Sequence, residues 1–272
     1  MVAAELTVAS LNTLGIPRPG ARLARRYAAI GAGFETGDAD VACFQEVLTW
    51  WHLRLLIRAM PSFGQVSFRR TLQGPAGGLV TFSRLPVSET VYRGFGRPPR
   101  AQGLPVRTRL QMGIKGALVT RLEHPACSVV NTHPLSNSDG DWTPSNRFHP
   151  LHRAQLDALT GVLRGIPGPA VVCGDFNIAS DSALFSDFVR DTGLSDAFGG
   201  TCPPTFRAEF LPPGETPHCI DFILTTPTVT ATATKLLFAA KQPFPAGPAY
   251  VSDHIGLSAR LSVQLKPELK PE

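Results

Sequence analysis

The sequence lacks any apolar run of about 18 residues, the length that a membrane-spanning helix requires. Its first residues, Met1 to Glu5, also lack the basic and apolar stretches of a secretory signal peptide and enter a strand pattern at once. We therefore expect a cytoplasmic protein, or a secreted one if a native signal peptide has been removed from this chain.

Cysteine is scarce as well. The five cysteines show no CxxC spacing, which argues against a zinc site. Three of them lie in apolar, strand-like runs, where a thiol usually serves as a small hydrophobic side chain. Cys202 and Cys219 flank a proline-rich loop, and the sequence leaves open whether they pair. An odd, sparse cysteine count is typical of a reducing compartment.

Low-complexity tracts, internal repeats and linkers are also absent. Hydrophobic residues make up 43% of the chain and charged residues 17%, a profile of globular rather than disordered proteins. We expect residues 1–272 to form one large domain with a polar tail from about 265 to 272, and to be monomeric. The net charge of +5 favours a polyanion or an anionic surface as partner, although such basicity also serves solubility alone.

Hydrophobic spacing predicts alternating strands and helices along most of the chain. Strands are predicted at residues 6–12, 41–44, 77–82, 116–122, 128–132, 170–173, 220–224 and 255–263. Helices are predicted from residue 23 through 30, at 48–60 and at 151–163, with a turn at 17–20. The pattern is that of an α/β protein.

Polar residues stand at the ends of these predicted strands. Strand ends can bring residues that are distant in sequence around one cleft. Carboxylates, amides and histidines are the groups that oxygen-rich Mg²⁺ coordination and phosphate hydrolysis require. The six motifs are Asn12; Gln45-Glu46; Asn131-Thr132-His133; Gly174-Asp175-Phe176-Asn177; Asp221 within Ile220-Asp221-Phe222; and Ser252-Asp253-His254.

Together, the motifs resemble the endonuclease/exonuclease/phosphatase superfamily, which includes abasic-site endonucleases, pancreatic-type deoxyribonucleases, neutral sphingomyelinases and inositol-polyphosphate phosphatases. The resemblance covers nearly the whole chain. It implies an α/β four-layer sandwich, in which two packed mixed β-sheets are flanked by helices and the active site lies at one edge. The matching segments, all in the family's order, are residues 10–12, 45–46, 78–84, 131–133, 174–177 and 252–254.

The resemblance also implies a metal site. Glu46 would be the principal metal carboxylate, and Asn12 and Asp253 would complete the shell directly or through water. Oxygen ligands of this kind favour Mg²⁺, with Mn²⁺ as a substitute. The sequence leaves open whether one metal ion or two take part.

The remaining motif residues would act on the water and the phosphate. By the same resemblance, Asp175 and Asn177 would orient the nucleophilic water and the phosphate. His254 would handle a proton, with Asp221 fixing its tautomer, and His133 would contact a phosphate oxygen or assist proton transfer. Whether Asp175 or His254 is the general base stays open.

Each of these residues also has a purely structural interpretation. Asn12 could be a turn residue, Glu46 could favour the start of the next helix through the helix dipole, and Asp175 could belong to a local turn. Asp221 is harder to explain in this way, because a buried carboxylate without a partner is costly. His254 is its natural partner.

Substrate is the least determined property. The motif around His133 looks more like those of sphingomyelinases, deoxyribonuclease-like enzymes and phosphatases than those of abasic-site endonucleases, which usually carry a tyrosine-containing motif there. Residues 134–150 would form a rim in which Trp142 stacks on a base, enters an interface or packs. A second segment is either a basic loop beside the cleft, able to meet DNA or an anionic lipid headgroup, or a solvated loop. Its basic residues are Arg93, Arg97, Arg100, Arg107, Arg109 and Lys115.

The sequence thus predicts a Mg²⁺-dependent phosphodiester hydrolase in which the metal helps water attack phosphorus. A phospholipid or small phosphodiester is the favoured substrate. A DNA or RNA endonuclease or exonuclease is the alternative, disfavoured because no regular series of basic and aromatic residues marks a nucleic-acid track. An inositol-phosphate-type phosphatase or a non-catalytic binding module is favoured less, and the retained polar motifs argue against the latter.

Overall fold

A computed structural model of the chain describes residues 2–16, 22–96, 104, 108 and 112–265. The described helices are α1 (Leu23–Glu35), α2 (Trp50–Ala59), α3 (His149–Arg164) and α4 (Ala183–Thr192). None of them combines the length and apolar character that crossing a bilayer requires. The described strands are β1 (Val2–Asn12), β2 (Val41–Gln45), β3 (Gln65–Ser67), β4 (Val80–Ser83), β5 (Val87–Gly94), β6 (Gly116–Leu122), β7 (Ser128–Thr132), β8 (Ala170–Asp175), β9 (Ser195–Asp196), β10 (Asp221–Thr225), β11 (Val229–Leu237) and β12 (Gly256–Leu265).

The strands form two mixed sheets of six strands each. The first sheet has the order β11-β12-β1-β2-β4-β3, and the second has the order β5-β6-β7-β8-β10-β9. Each sheet contains one parallel pair, β1 with β2 in the first and β7 with β8 in the second, flanked by antiparallel neighbours. The two sheets therefore have the same arrangement at their centres, a parallel pair of strands between antiparallel neighbours.

The two sheets pack face to face, with helices on their outer faces. Between the sheets lies a core that includes Val8 of β1, Cys43 of β2 and Val171 of β8. Alternate residues of the same strands face outward, against α1 and α2 on the first sheet and against α3 and α4 on the second. The predicted four-layer α/β sandwich is thus confirmed. Because both faces of the central strands are covered, these strands read as continuous apolar runs in the sequence.

Two predicted elements begin later than expected. The strand predicted at 77–82 starts only at Val80, because Gly77 and Gly78 adopt positive φ angles of 63° and 69° inside a 3₁₀ turn. The helix predicted from residue 48 starts at Trp50, since Thr49 caps it by accepting a hydrogen bond from the backbone N–H of His52. Glu46 precedes this cap and is not part of the helix.

The strands that the sequence did not predict are β3, β5, β9 and β11, which are the outer strands of the two described sheets. Their side chains are largely exposed in β5 and β11, so no apolar run marks them. The helix α4 was also not predicted. The predicted turn at 17–20, Arg97, Arg100, Arg107 and Arg109 of the basic segment, and the polar tail after residue 265 lie outside the described residues.

Candidate active site

The motif residues meet at one edge of the sandwich. In each sheet the parallel pair ends at this edge, so Asn12 and Glu46 come from the first sheet and His133 and Asp175 from the second. Strand β10 is antiparallel to β8, with Asp221 opposite Asp175 in the register. The beginning of β10 therefore lies at the same edge as the end of β8.

Asn12 joins the two sheets at this edge. Its Nδ2 group donates to Asp175 Oδ2 at 2.9 Å and lies 3.5 Å from Glu46 Oε1. Its Oδ1 atom accepts a hydrogen bond from the backbone N–H of Leu14 at 3.0 Å. One buried amide therefore sets the spacing between a carboxylate of the first sheet and a carboxylate of the second.

Glu46 has a strained backbone that is held in place by its neighbours. Its φ angle is +61°, in a region that costs a residue with a side chain on the order of 1–2 kcal/mol. The backbone N–H of Gly15 donates to Glu46 Oε2 at 3.0 Å, and the Tyr27 hydroxyl donates to the Glu46 carbonyl at 3.3 Å. A Cβ on Gly15 would lie 1.8 Å from the Glu46 carbonyl oxygen, so only glycine fits there. These contacts with neighbouring residues thus fix the position of the Glu46 carboxylate.

Asp175 lies at the centre of the cluster and is buried. Its Oδ1 accepts the backbone N–H of Asn177 at 2.9 Å, which forms the local turn that the sequence also allowed. Its Oδ2 faces His133 Nε2 at 3.4 Å and His254 Nε2 at 3.7 Å. Burial opposes its ionisation, yet the two histidines and the Asn12 amide hold the pKa of Asp175 well below its usual range. It is therefore ionised at neutral pH.

His254 is paired with Asp221. Its Nδ1 lies 2.8 Å from Asp221 Oδ2, and both side chains are buried. Burial alone would lower the pKa of His254, but Asp221 and Asp175 raise it well above the usual value. Thr205 Oγ1 accepts the backbone N–H of Asp221 at 3.1 Å and so fixes the start of β10. The carboxylate thus holds Nδ1, while Nε2 faces the centre of the cluster.

Asp253 and its neighbour Ser252 connect this histidine to the first sheet. Ser252 Oγ donates to the Asn12 carbonyl at 2.6 Å and lies 3.3 Å from Asp253 Oδ1. Asp253 Oδ1 lies 3.9 Å from His254 Nε2. The structure therefore brings together all eight residues that the sequence singled out.

The donor atoms of this cluster fit a hard divalent cation. Ligand atoms of Asp175, Asp221 and His254 lie within 4.8 Å of one another, but Asp221 and His254 are already bonded to each other. The carboxylates of Glu46 and Asp175 both lie against the same amide group of Asn12, which brings their oxygens close to each other. Carboxylate oxygens in this arrangement are suited to Mg²⁺ rather than to a thiolate-binding metal.

Lys115 lies near the site and belongs to the segment for which the sequence left open a place beside the cleft. It precedes the first residue of β6 and is half-buried, within electrostatic reach of Glu46 and Asp175. Burial lowers the pKa of Lys115 to about 8, and the two carboxylates oppose this effect. Because β6 is antiparallel to β7, its beginning meets the end of β7 near His133. Only the sheet topology shows this, since the sequence pattern placed Lys115 in a basic loop.

Two buried arginines also support the site, and no motif marked them. Arg26 of α1 donates to the carbonyls of Thr13, Leu14 and Val251. Arg207 donates to the carbonyl of Ser252 at 3.1 Å, along with other carbonyls nearby. These contacts tie the end of β1 to the segment that carries Asp253 and His254.

Of the six basic residues in the segment that the sequence singled out, the structure describes Arg93 and Lys115. Arg93 belongs to β5. Arg84, which follows the predicted strand at 77–82, donates to the carbonyls of Gly37, Phe34 and Glu35, so its role is structural.

Trp142 is half-buried, and its indole N–H donates to the carbonyl of Asn177 at 2.9 Å.

The chain belongs to the Endonuclease/Exonuclease/phosphatase family, whose model matches residues 9–254. This span runs from just before Asn12 to His254 and so includes the whole cluster. Members of the family are metal-dependent phosphoester hydrolases, and the chain is an enzyme of that class. No curated protein sequence matches it.

Solved structures share the fold at low sequence identity. An endonuclease/exonuclease/phosphatase family protein from Bacteroides thetaiotaomicron has a TM-score of 0.73 at 17% identity, over 97% of this chain and 100% of that one. Sphingomyelinase C from Streptomyces griseocarneus gives 0.68 at 18%, over 94% and 99%. A double mutant of beta toxin from Staphylococcus aureus, with bound magnesium ions, gives 0.70 at 17%, over 94% and 99%. At these identities the likeness shows the fold alone.

Proposed function

We propose that the protein is a Mg²⁺-dependent phosphodiester hydrolase whose substrate is a phospholipid or another small phosphodiester. The observation that carries this proposal is the position of Asp175. Its carboxylate is bonded to Asn12, faces His133 and His254, and shares the Asn12 amide with Glu46. An ionised acid, two histidines and a second carboxylate around one point are what attack by water on phosphorus requires.

Glu46 is the main metal-holding residue in this proposal, with Asn12 and Asp253 supporting it directly or through water. The bound cation would act as a Lewis acid, and its positive charge would neutralise negative charge on the phosphate oxygens. Asn12 Oδ1 accepts the Leu14 N–H, and its Nδ2 faces both acids, so Asn12 mainly sets the spacing between them. The magnesium ions bound by the beta toxin variant of the same fold support the choice of cation.

The remaining residues handle the water and its proton. Asp175 accepts a hydrogen bond from the attacking water, orients it toward phosphorus together with Asn177, and takes up its proton as the P–O bond to the leaving group breaks. His254, held at Nδ1 by Asp221, presents Nε2 to the phosphate and neutralises charge that develops on its oxygens. His133 contacts a second phosphate oxygen from the opposite side of Asp175. The raised pKa of His254 favours its charged form, which suits stabilisation of an anion.

The contacts of three described arginines support a small or lipid substrate. Arg26, Arg84 and Arg207 use their guanidinium groups on backbone carbonyls and do not form a track for a nucleic-acid backbone. Sphingomyelinase C shares the fold over 94% of this chain, so the fold accommodates a lipid substrate.

The test is a substrate panel under one Mg²⁺ condition. Phosphocholine and phosphoethanolamine lipids, plasmid DNA, abasic duplex and inositol phosphates would be compared with the wild type and with Asp175→Ala and His254→Ala variants. We expect a lipid or small phosphodiester to be hydrolysed best, and both variants to abolish that activity. Preferred cleavage of DNA that both variants remove would replace this substrate with a nucleic acid.

A further inference from the structure

A cavity of about 210 Å³ opens beside the candidate active site. Trp142, Phe206, His218 and Ile220 form much of its wall, and Asn177 and Glu215 also line it. Pockets for drug-sized ligands usually measure roughly 300–1,000 Å³, so this cavity suits a group of only a few heavy atoms. The motif residues do not explain why such a space is present.

Two walls of the cavity connect it directly to the cluster. Phe206 packs edge-on against the His254 ring, with centroids 5.1 Å apart, and forms a β-bridge with His254. On the other side, the Asn177 backbone N–H is bonded to Asp175, and the Asn177 carbonyl accepts the Trp142 indole N–H. A group attached to a phosphate held beside Asp175 and His254 would therefore extend into this space.

The residues that line the cavity suit a positively charged group. Trp142 and Phe206 supply aromatic rings, to which cations bind through the ring quadrupole. Glu215 supplies a carboxylate, and none of the described lining residues is a lysine or an arginine. His218 packs against Trp142 and faces the Asp181 carboxylate at 3.6 Å. A phosphate-rich polyanion would meet no complementary charge here.

We propose that this cavity binds a small alkylammonium group carried by the phosphodiester that the neighbouring site hydrolyses. Trp142 and Phe206 bind the cation through their rings, and Glu215 supplies the counter-charge. The inference rests on the proposed function, because the ammonium group reaches the cavity only when its phosphate lies beside Asp175 and His254. It makes Trp142 and Glu215 determinants of substrate choice, not of the chemical step.

Four p-nitrophenyl phosphodiesters with the same leaving group separate charge from shape. Their second substituents are choline, its uncharged carbon isostere 3,3-dimethylbutyl, methyl, and thymidine linked through its 5′ oxygen. We expect kcat/KM for the choline ester to exceed that for the isostere about tenfold, the effect of a cation–π contact with a partly buried ring. Glu215→Gln should reduce this ratio, and Trp142→Leu should bring it close to one.

Matched controls guard against indirect effects. Trp142→Leu also removes the hydrogen bond to Asn177, so each rate is divided by the rate of the same variant on the methyl ester. Glu215 makes no such contact with the cluster in the described structure, and Glu215→Gln should leave methyl ester hydrolysis unchanged. Trp51→Leu on α2 and Glu123→Gln at the far end of β6 change exposed residues of the same types. Both should keep the wild-type ratio.

The outcomes distinguish this inference from the proposed function. Hydrolysis of the methyl ester with equal rates for the choline ester and its isostere, or with the thymidine ester preferred, would overturn the inference while sparing the hydrolase. If no ester is hydrolysed, the proposed function fails. Calorimetric titration with phosphocholine then tests the role of the cavity independently of hydrolysis. Binding that Glu215→Gln weakens supports the inference, and absence of binding to the wild type overturns the inference.

Discussion

At the scale of single residues, the site combines backbone strain with burial of polar groups. Glu46 and Asn177 both have positive φ angles, 61° and 53°, although neither is glycine. Such conformations persist only where the surrounding contacts determine them, and they occur preferentially at functional sites. The two residues flank Asp175, one through the Asn12 amide and the other through its own backbone N–H. The strain thus supports the assignment of the cluster.

Glu46→Gln tests the metal-holding carboxylate. The amide keeps the shape of the side chain and can still accept from the Gly15 N–H, but it removes the negative charge that anchors the cation. We expect kcat to fall by about 100-fold or more at saturating Mg²⁺. Thermal unfolding should show a nearly unchanged melting temperature, with Glu123→Gln as the control. Full turnover by the variant would remove Glu46 from the site.

Asp221→Asn tests the pairing with His254. Asn keeps the size of the side chain but loses the charge that raises the pKa of His254, so that pKa should fall. We expect kcat to drop roughly 10- to 100-fold with little change in KM, as for residues that orient a catalytic group. Because the variant imidazole loses its proton at lower pH, the alkaline limb of the kcat profile should move to lower pH. An unchanged profile and rate would show that the pair has no role in turnover.

At the scale of elements, the sequence predicted the centre of each sheet well and the edges poorly. Strands β6 and β7 have the predicted bounds, and their burial shows why: every residue of β7 is buried, and β6 is buried except at Val119 and Arg121, which are half-buried. The outer strand β11 reads as alternating Thr and Ala and is mostly exposed, so hydrophobic spacing does not mark it. Edge strands are positioned by pairing with their neighbour, which a single sequence does not display.

Helix α3 carries a buried histidine that makes stability sensitive to acid. His152 Nε2 lies 2.9 Å from the Leu135 carbonyl, and its Nδ1 has no hydrogen-bond partner in the described structure. Burial lowers the pKa of His152 to about 4, from 6.5. A lowered histidine pKa means that the unfolded chain binds the proton first. Stability is therefore fully present above pH 6.5 and is lost as the pH falls toward 4.

We accordingly expect the free energy of unfolding to fall by roughly 2 kcal/mol from pH 7 to pH 5 on account of His152. Urea unfolding of the wild type and of His152→Gln at both pH values measures this contribution, since Gln can still donate to the Leu135 carbonyl. The variant should lose correspondingly less stability over this interval. His124→Gln, which changes an exposed histidine, should behave as the wild type does. An equal pH dependence in wild type and His152→Gln would contradict the expectation.

At the scale of the whole molecule, the site exists because two sheets with matching centres end at the same edge. Gln45 of β2 donates to Asn131 Oδ1 of β7 at 2.8 Å, and Asn131 donates in turn to the carbonyls of Phe44 and Val80. These buried bonds join the sheets directly beneath the cluster. Gln45 and Asn131, which belong to two of the motifs, therefore act as ties between the layers.

The packing of the two sheets also explains which site residues could be predicted from the sequence. Motif residues stand at strand ends in a fixed order, so they could be selected before any contact was known. Arg26 and Arg207 reach the site only through the packing of the chain, and nothing near them in sequence distinguishes them from surface cations. Lys115 belongs to a segment for which the sequence left open a place beside the cleft. The distances between sheets, such as that from Asn12 to Asp175, follow from this packing as well.

The central claim is that a metal ion and Glu46 enable water to attack phosphorus, and one measurement tests it most directly. The best substrate of the panel would be hydrolysed in H₂¹⁸O with Mg²⁺, with EDTA, and by Glu46→Gln, and both products would be analysed by mass spectrometry. We predict that ¹⁸O enters the phosphate product, that EDTA abolishes turnover and added Mg²⁺ restores it, and that Glu46→Gln stays nearly inactive. Full activity in EDTA, or ¹⁸O in the alcohol product instead, would contradict the account.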